Sequence, residues 1–324
     1  FLYSAALSGS MLYGLSWFYG LTGSTDLDTI AAVLRESETS LRPTILPALI
    51  LVMAGLAAKV AAAPFHQWMP DVCEGTAPPV AAFFAVTPMV AGFAALTRVL
   101  LTALPVDIGS LAVDWRTLLM ALAAITMLAG NLLALWQQNI KRLLAYMSIA
   151  QAGYMLVGVV TASPQGVTAA LFALAAYGLS NLGTFAAVIA LSHHTGSYAL
   201  ESYAGMHKRA PELAWPLLVC LLSLAGVPPT AGFIGRLYLF SAAIEKGLLW
   251  LAIVGVAGSV ISLACVWKII RVIFIAPAQT EGRLTVPPAL AVVLGITVAG
   301  IFASAIFANA LLALLQAAAQ ALFG

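Results

Sequence analysis

Charged side chains are scarce in this sequence. Lysine, arginine, aspartate and glutamate make up 8% of the 324 residues, against roughly 25% in a typical soluble domain. So few charges cannot cover the surface of a water-soluble fold of this length. The same scarcity excludes a disordered chain and a nucleic-acid-binding surface. Hydrophobic residues make up 62%, and the composition therefore predicts a multi-pass protein that lies in a lipid bilayer.

The sequence also lacks the patterns that hold metals and cofactors. Its three cysteines, Cys73, Cys220 and Cys265, lie far apart, which predicts neither a disulfide framework nor a metal site. There is no GxGxxG, P-loop, CxxC or haem-type histidine pair. We therefore expect this chain to bind no cofactor and no metal. It begins at Phe1, inside an apolar run and without Met, and we expect it to be the C-terminal part of a longer protein.

Long apolar runs are abundant, and nine of them have the roughly 20 residues that a bilayer-spanning helix needs. These segments are 1–21, 45–72, 80–101, 115–137, 143–162, 166–192, 213–244, 248–275 and 289–319. They lack the alternation of barrel strands, and lipid leaves no backbone group unpaired. The predicted fold is therefore an all-α polytopic membrane protein. Between the first two spans, residues 22–44 predict a separate short amphipathic helix on the membrane surface.

Proline interrupts two segments that are too long for one straight helix. Segment 45–72 contains Pro64, and segment 213–244 contains Pro228 and Pro229. Proline removes a backbone donor and clashes with the preceding turn, and the freed carbonyls are tolerated only where they face protein or water. Paired broken helices mark ion pathways in inverted-repeat transporters. We therefore predict two interrupted helices that run in opposite directions.

The first break carries two candidate proton-exchange residues. Lys59 lies five residues before Pro64 with apolar neighbours, so we predict a position in the middle of a helix at bilayer depth. A lysine there costs about 2.5–3.5 kcal/mol on insertion scales, and a desolvated lysine can release its proton. The alternative is a structural ion pair. His66 either titrates near neutrality or is a hydrogen-bonding strut, and the sequence leaves both open.

Arg236 follows the second break and cannot act as Lys59 does. Arginine keeps its proton at any accessible pH, so it cannot relay one by releasing it. Two roles stay open for Arg236, namely a fixed charge beside the pathway and an anchor at the membrane interface.

Polar residues inside two further helices form a candidate proton path. They are Ser148, Gln151, Tyr154, Tyr177, Ser180, Asn181 and Thr184. The last four fall at i, i+3, i+4 and i+7, which is one helix face. The stripe predicts either a hydrated path or ordinary helix packing, in which such residues bond neighbouring helices.

Three motifs in this order carry a family resemblance. They are KVAAAPFHQWMPDVCEGTAPPVAAFFA (59–85), NIKRLLAYMSIAQAGYML (139–156) and LSLAGVPPTAGFIGRLYLF (222–240). Over the whole chain the sequence resembles the proton-translocating, antiporter-like membrane subunits of respiratory complex I. The opening segment, 1–23, and the DVCEG and GFIGR motifs look most like the branch called subunit N, or subunit 2.

The resemblance implies a fold of fourteen helices in two inverted bundles, of which this chain holds the sixth to fourteenth. Residues 1–114 would complete the first bundle, 115–288 would form the second, and 289–324 would supply the last span. By motif position, Lys59 corresponds to the lysine of the first broken helix. Arg236 stands where the second usually carries a lysine.

The function implied is proton translocation in the membrane arm of an NADH:quinone oxidoreductase, driven by redox chemistry in other subunits. The chain would be part of a translocase without catalysing a redox step itself. Its partners would be other membrane-arm subunits, including neighbouring antiporter-like ones, and NAD, FMN, iron–sulfur clusters and quinone would belong to partner subunits. We expect a bacterial inner membrane rather than an organellar one.

Two departures from the family pattern keep other functions open. Met89 stands at a usual lysine position and Gln151 at a frequent histidine position, so the relay loses two titratable groups. One alternative is a homologous subunit of a multisubunit cation/proton antiporter or membrane-bound hydrogenase. The other is a structural spacer that conducts nothing.

Overall fold

The computed structural model of the chain describes residues 2–104, 109–278 and 282–323, with the backbone alone described at 37–42 and 109–114. The regular elements in these ranges are helices, which confirms the predicted all-α class. In chain order the α-helices are α1 Leu2–Thr22, α2 Leu27–Lys59, α3 Trp68–Gly75, α4 Pro78–Arg98, α5 Gly109–Trp136, α6 Ile140–Val160, α7 Pro164–Thr195, α8 Met206–Arg209, α9 Pro211–Ala225, α10 Ala231–Glu245, α11 Leu249–Ile270, α12 Pro288–Ile306 and α13 Ala308–Gln320. A π-helical turn continues α4 over Val99–Ala103 and α11 over Arg271–Ile275, and Leu200–Tyr203 forms a 3-10 turn.

Six helices in the described ranges, α4, α5, α6, α7, α11 and α12, are long and apolar enough to cross a bilayer. Helix α2, whose apolar part is Pro43–Lys59, and α3 together supply a further crossing, and the shorter helices α9 and α10 supply another. Helix α1, at 21 residues, also has the length of a span. These nine elements correspond to the nine predicted spans. The chain is a multi-pass membrane protein.

Both predicted interruptions are present. Helix α2 ends at Lys59 and α3 begins at Trp68, while α9 ends at Ala225 and α10 begins at Ala231. The Ala63–Pro64 and Pro228–Pro229 peptide bonds, both cis, lie inside the breaks.

The two broken segments run in opposite directions, as predicted. Segment α2–α3 ends on the membrane face where α6 begins, because Thr76 accepts a hydrogen bond from Lys141. Segment α9–α10 begins on that same face, because the loop that leads to it pairs with the start of α6 through Asn139 and Ala199. We call this face the Lys141 face and the opposite one the Arg98 face, after the last residue of α4.

Two predicted boundaries are wrong. Residues 22–44 do not form a separate surface helix, because α2 starts at Leu27, is capped by the Asp26 carboxylate, and continues into the membrane. Segment 289–319 is not one span, because α12 ends at Ile306 and α13 follows after Phe307. Nineteen residues of helix already cover about 28 Å, the thickness of the hydrocarbon core.

Helix α6 lies in the centre of the fold, and every residue of it except Arg142 is buried. Its contact with α5 is close because both helices place glycine at the crossing. A Cβ atom on Gly130 would lie 2.5 Å from Ala150 N, and one on Gly153 would lie 2.5 Å from Met127 N. Small residues let membrane helices approach at backbone distance.

Candidate functional site between the broken helices

Lys59 is the last residue of α2 and lies at the first break. The prediction that it occupies the middle of a helix is wrong, because α2 ends at Lys59. The bonds that follow, from Ala61 N–H to Ala58 O and from Ala62 N–H to Ala57 O, terminate the helix. Its side chain is exposed, and Nζ donates to Ser8 Oγ over 3.1 Å.

An open cavity of about 390 Å³ surrounds Lys59 and is lined also by Ser4, Trp68 and Phe84. The indole N–H of Trp68 donates over 2.8 Å to Ala58 O, which also accepts from Ala61 N–H over 3.1 Å. The amine is therefore placed at a helix end and faces this cavity.

His66 lies inside the same break. It is half-buried, and its ring meets that of Tyr146 of α6 edge-on, with centroids 6.2 Å apart. Its Nδ1 is buried without a hydrogen-bond partner among the described residues. The strut interpretation therefore gains no support from Nδ1.

Arg236 lies in α10, after the second break, and its side chain reaches back to the end of α9. It is 5% exposed, and its Nη1 and Nη2 donate to Ala225 O and Leu224 O, each over 2.5 Å. Its guanidinium also lies 4.3 Å from the ring centroid of Tyr154. Gln151 donates to the same Leu224 O over 2.8 Å. These donors satisfy carbonyls at the C-terminus of α9, where the helix macrodipole favours a cation. This enclosed position is unlike the exposed one that an anchor at the membrane interface would have.

A first set of polar contacts crosses from α4 through α7 to α6. The hydroxyl of Tyr177 donates to Ala85 O over 2.7 Å. The amide of Asn181 donates to the Tyr177 hydroxyl over 3.0 Å and to Ser148 Oγ over 2.9 Å. Tyr177, Asn181 and Ser148 therefore form one buried group between the two breaks.

A second set of contacts reaches the other break. Ser180 donates to Ser223 Oγ over 2.8 Å, and Ser223 Oγ accepts from Gly232 N at the start of α10 over 3.3 Å. Thr184 is on the same helix face but bonds only Ser180 O in its own helix. Of the four residues in the predicted stripe, three therefore bond neighbouring helices and Thr184 does not.

Two buried amide oxygens have no protein partner among the described residues. They are Oδ1 of Asn181 and Oδ1 of Asn131, whose amide nitrogen donates to the Tyr154 hydroxyl over 3.1 Å. Buried polar atoms of this kind are where ordered water binds. In the part of the chain that the structure describes, no group of three His, Cys, Asp or Glu side chains could hold a metal ion.

Lys141 is a functional candidate that is absent from the predicted site residues. It is 2% exposed, and Nζ donates to Glu74 O over 2.6 Å and Thr76 O over 2.8 Å at the end of α3. The ring of Tyr198 covers it at 4.0 Å. The next residue, Arg142, pairs with Glu74 over 2.7 Å. The start of α6 therefore holds the short helix that follows the first break.

A signal for this clamp is present in the sequence. Lys141 and Arg142 lie in the first turn of α6, where the helix macrodipole disfavours cations. Two adjacent cations at a helix N-terminus therefore indicate that their partners belong to another element.

Two interrupted, oppositely directed helices joined by one buried helix define an antiporter-like membrane subunit. The family model described as "NADH:quinone oxidoreductase/Mrp antiporter, TM" matches residues 1–262, and the chain belongs to that family.

Individual relatives agree with this assignment. NADH-quinone oxidoreductase subunit N 2 of Chloroherpeton thalassium is 44% identical over 273 residues, which are 83% of this chain and 53% of that protein. The chain therefore spans about half the length of this relative. Among solved structures, it is similar to a chain of respiratory complex I from Thermus thermophilus with bound aureothin, at 33% identity, TM-score 0.80 and coverage of 96% and 66%. A chain of the Mrp complex from Dietzia sp. DQ12-45-1b is 25% identical, with TM-score 0.88 and coverage of 99% and 64%.

Proposed function

We propose that this chain belongs to a proton-translocating membrane subunit of a complex I-type NADH:quinone oxidoreductase in a bacterial inner membrane. It would carry protons between the two broken helices beside other membrane-arm subunits. NAD, FMN, iron–sulfur clusters and quinone would be held by partner subunits, where the redox chemistry takes place.

The observation that carries the proposal is the polar bridge across α6. On the side of the first break, Ser148 belongs to the group of Tyr177 and Asn181. One turn further along α6, Gln151 bonds the α9 carbonyl that Arg236 also bonds. Hydroxyls and amides with spare acceptor atoms can hold waters between them. Water between these groups would supply the route that direct contacts leave incomplete.

In this mechanism Lys59 takes up and releases the proton and Arg236 stays charged. A fixed cation near the outlet disfavours a second positive charge beside it. Arg236 would therefore direct protons outward without accepting one. Met89, buried in α4, adds no titratable group between the two.

The test is Lys59→Met in the assembled complex reconstituted into vesicles. Proton transfer per NADH oxidised should fall, while assembly stays intact because, among the described residues, Lys59 Nζ bonds only Ser8. Lys59→Arg should also impair transfer, since arginine keeps its proton. Lys246→Met, at an exposed lysine after α10, is the matched control. Normal pumping by Lys59→Met would leave the spacer function as the better account.

A second candidate is a subunit of a multisubunit cation/proton antiporter. It is favoured by the higher TM-score to the Mrp chain, 0.88 against 0.80 for the complex I chain. Mass spectrometry of the purified native complex separates the two. Flavin- and iron–sulfur-containing subunits are expected for an oxidoreductase, and their absence would favour the antiporter.

A further inference from the structure

An apolar groove opens near the Arg98 face, away from both breaks. It lies between α4, α7 and α13 and has a volume of about 310 Å³, at the lower end of the roughly 300–1,000 Å³ typical of ligand pockets. Its walls are almost wholly apolar and include Phe93, Ala94, Leu171, Leu174 and Leu322. The charged residue on its lining is Arg98, the last α-helical residue of α4. We call this feature the Arg98 groove.

Arg98 differs from Arg116, another arginine on this face. Arg116 donates to Val160 O, at the C-terminus of α6, over 3.1 Å, so its guanidinium is already engaged. Arg98 is exposed, and among the described side chains no carboxylate pairs with it. The groove therefore presents a free cation at one end of an apolar channel.

We propose that the Arg98 groove binds one anionic phospholipid, with the phosphate on Arg98 and part of one acyl chain against Phe93, Ala94 and Leu171. The guanidinium matches phosphate in charge and in its forked donor geometry. Arg98 lies five residues before the end of a membrane-spanning helix that continues through a π-helical turn to Ala103. Its long side chain can therefore extend to the lipid headgroups, while the groove extends inward along two turns of α4. A free inorganic anion would leave the apolar walls unfilled, and a protein helix is too wide for a cavity of this volume.

The experiment is native mass spectrometry of the purified complex after exchange into nanodiscs that contain phosphatidylglycerol or only phosphatidylcholine. Arg98→Gln removes the charge and keeps the groove. Ala94→Trp keeps the charge and fills the groove, since Ala94 is exposed on its wall. Lys246→Gln removes an exposed cation that lines no described cavity and is the control.

Arg98→Gln should lower retained phosphatidylglycerol roughly fivefold, the effect of one basic residue at an anionic surface. Ala94→Trp should lower it as well, and Lys246→Gln should not. Equal retention by Arg98→Gln and Lys246→Gln would overturn the proposal. So would retention that depends on Arg98 but not on Ala94, because the headgroup alone would then be held. Crosslinking of Ala94→Cys to another protein segment, with no phospholipid retained, would assign the groove to that segment.

Discussion

At the scale of single residues, several basic side chains in this chain bond the carbonyls at the C-terminus of a neighbouring helix. Arg236 bonds the carbonyls at the end of α9, Lys141 those at the end of α3, and Lys268 those at the end of α5, where Nζ donates to Leu135 O and Gln137 O. Each position combines unpaired carbonyls with the negative end of a helix macrodipole. In lipid such carbonyls find no water, so a positive side chain from a neighbouring helix replaces it.

Arg236 should contribute to the stability of the folded protein. Arg236→Met should lower the stability of the purified complex by about 2–3 kcal/mol, because two buried carbonyls lose charged donors. Arg236→Lys keeps the charge but cannot span both carbonyls, and the loss should be about 1 kcal/mol. Thermal unfolding followed in detergent measures both. Equal stability of Arg236→Met and the unchanged protein would show that Gln151 alone satisfies Leu224 O.

Arg236→Gln addresses function at the same position. If Arg236 acts as a fixed charge, Arg236→Lys should pump protons nearly normally and Arg236→Gln more slowly. Proton release in vesicles containing the assembled complex is the measurement. Complete loss of pumping in Arg236→Lys would show that the guanidinium geometry is required, which contradicts the fixed-charge account.

The residues at the breaks can be predicted from the sequence better than the contacts that surround them. Pro64 and Pro228 gave both interruptions, because proline acts through the backbone of its own segment. The end of α2 at Lys59 was not predicted, because a helix terminus depends on which carbonyls a neighbour satisfies. Lys141 was not predicted for the same reason, since its partners are Glu74 and Thr76, more than 60 residues away along the chain.

At the scale of elements, the eight-residue helix α3 depends on α6 for its position. A helix this short is not stable by itself in isolation. Its carboxyl end is held by Lys141, and its exposed acidic residues, Asp71 and Glu74, pair with Arg142. The buried contact should contribute most of the stability, because exposed ion pairs are worth about 0–1 kcal/mol.

Hydrogen exchange can separate these two contributions. Lys141→Met should accelerate amide exchange in residues 68–76 by about tenfold or more, because hydrogen bonds to a charged group contribute about 1.5–3 kcal/mol each. Arg142→Gln should change it little. If the two variants exchanged at equal rates, the clamp would depend on the surface ion pairs instead.

The turn that ends α9 gives a second element-scale prediction. Gly226 has φ +74°, and a Cβ atom there would lie 2.7 Å from Arg236 Cδ. Gly247 has φ +76° and nothing near its Cβ position. Both substitutions to alanine carry the cost of a left-handed residue, about 1–2 kcal/mol, but Gly226→Ala must also displace Arg236. Its melting temperature should therefore fall further than that of Gly247→Ala, and equal decreases would contradict the close fit.

At the scale of the whole molecule, composition gave the class and hydropathy gave the spans. What hydropathy could not give is which helix lies in the centre. The apolar content of α6 does not exceed that of α11 or α12, yet α6 is enclosed and α12 is largely exposed. Which helix lies in the centre depends on where glycines let two helices approach closely, and hydropathy does not show which helices form such pairs.

The close contact of α5 with α6 can be tested by substituting a glycine at the crossing. Gly130→Ala should prevent correct packing, because its Cβ atom would meet the backbone of Ala150, which cannot move aside. Gly295→Ala, in α12 with nothing near the Cβ position, should be neutral. The yield of assembled complex measures both, and comparable yields would mean that the two helices are less close than described.

The enclosure of α6 limits how this subunit can work. A helix that is surrounded on every side, clamped at Lys141 and bonded to the second break at Gln151 cannot slide like a piston or turn about its axis without breaking both attachments. Packed interiors switch between discrete arrangements rather than deforming continuously. Signals between the breaks would then pass as changes in side-chain rotamers and in the electric field. The helix backbones would stay in place while side chains and protons move.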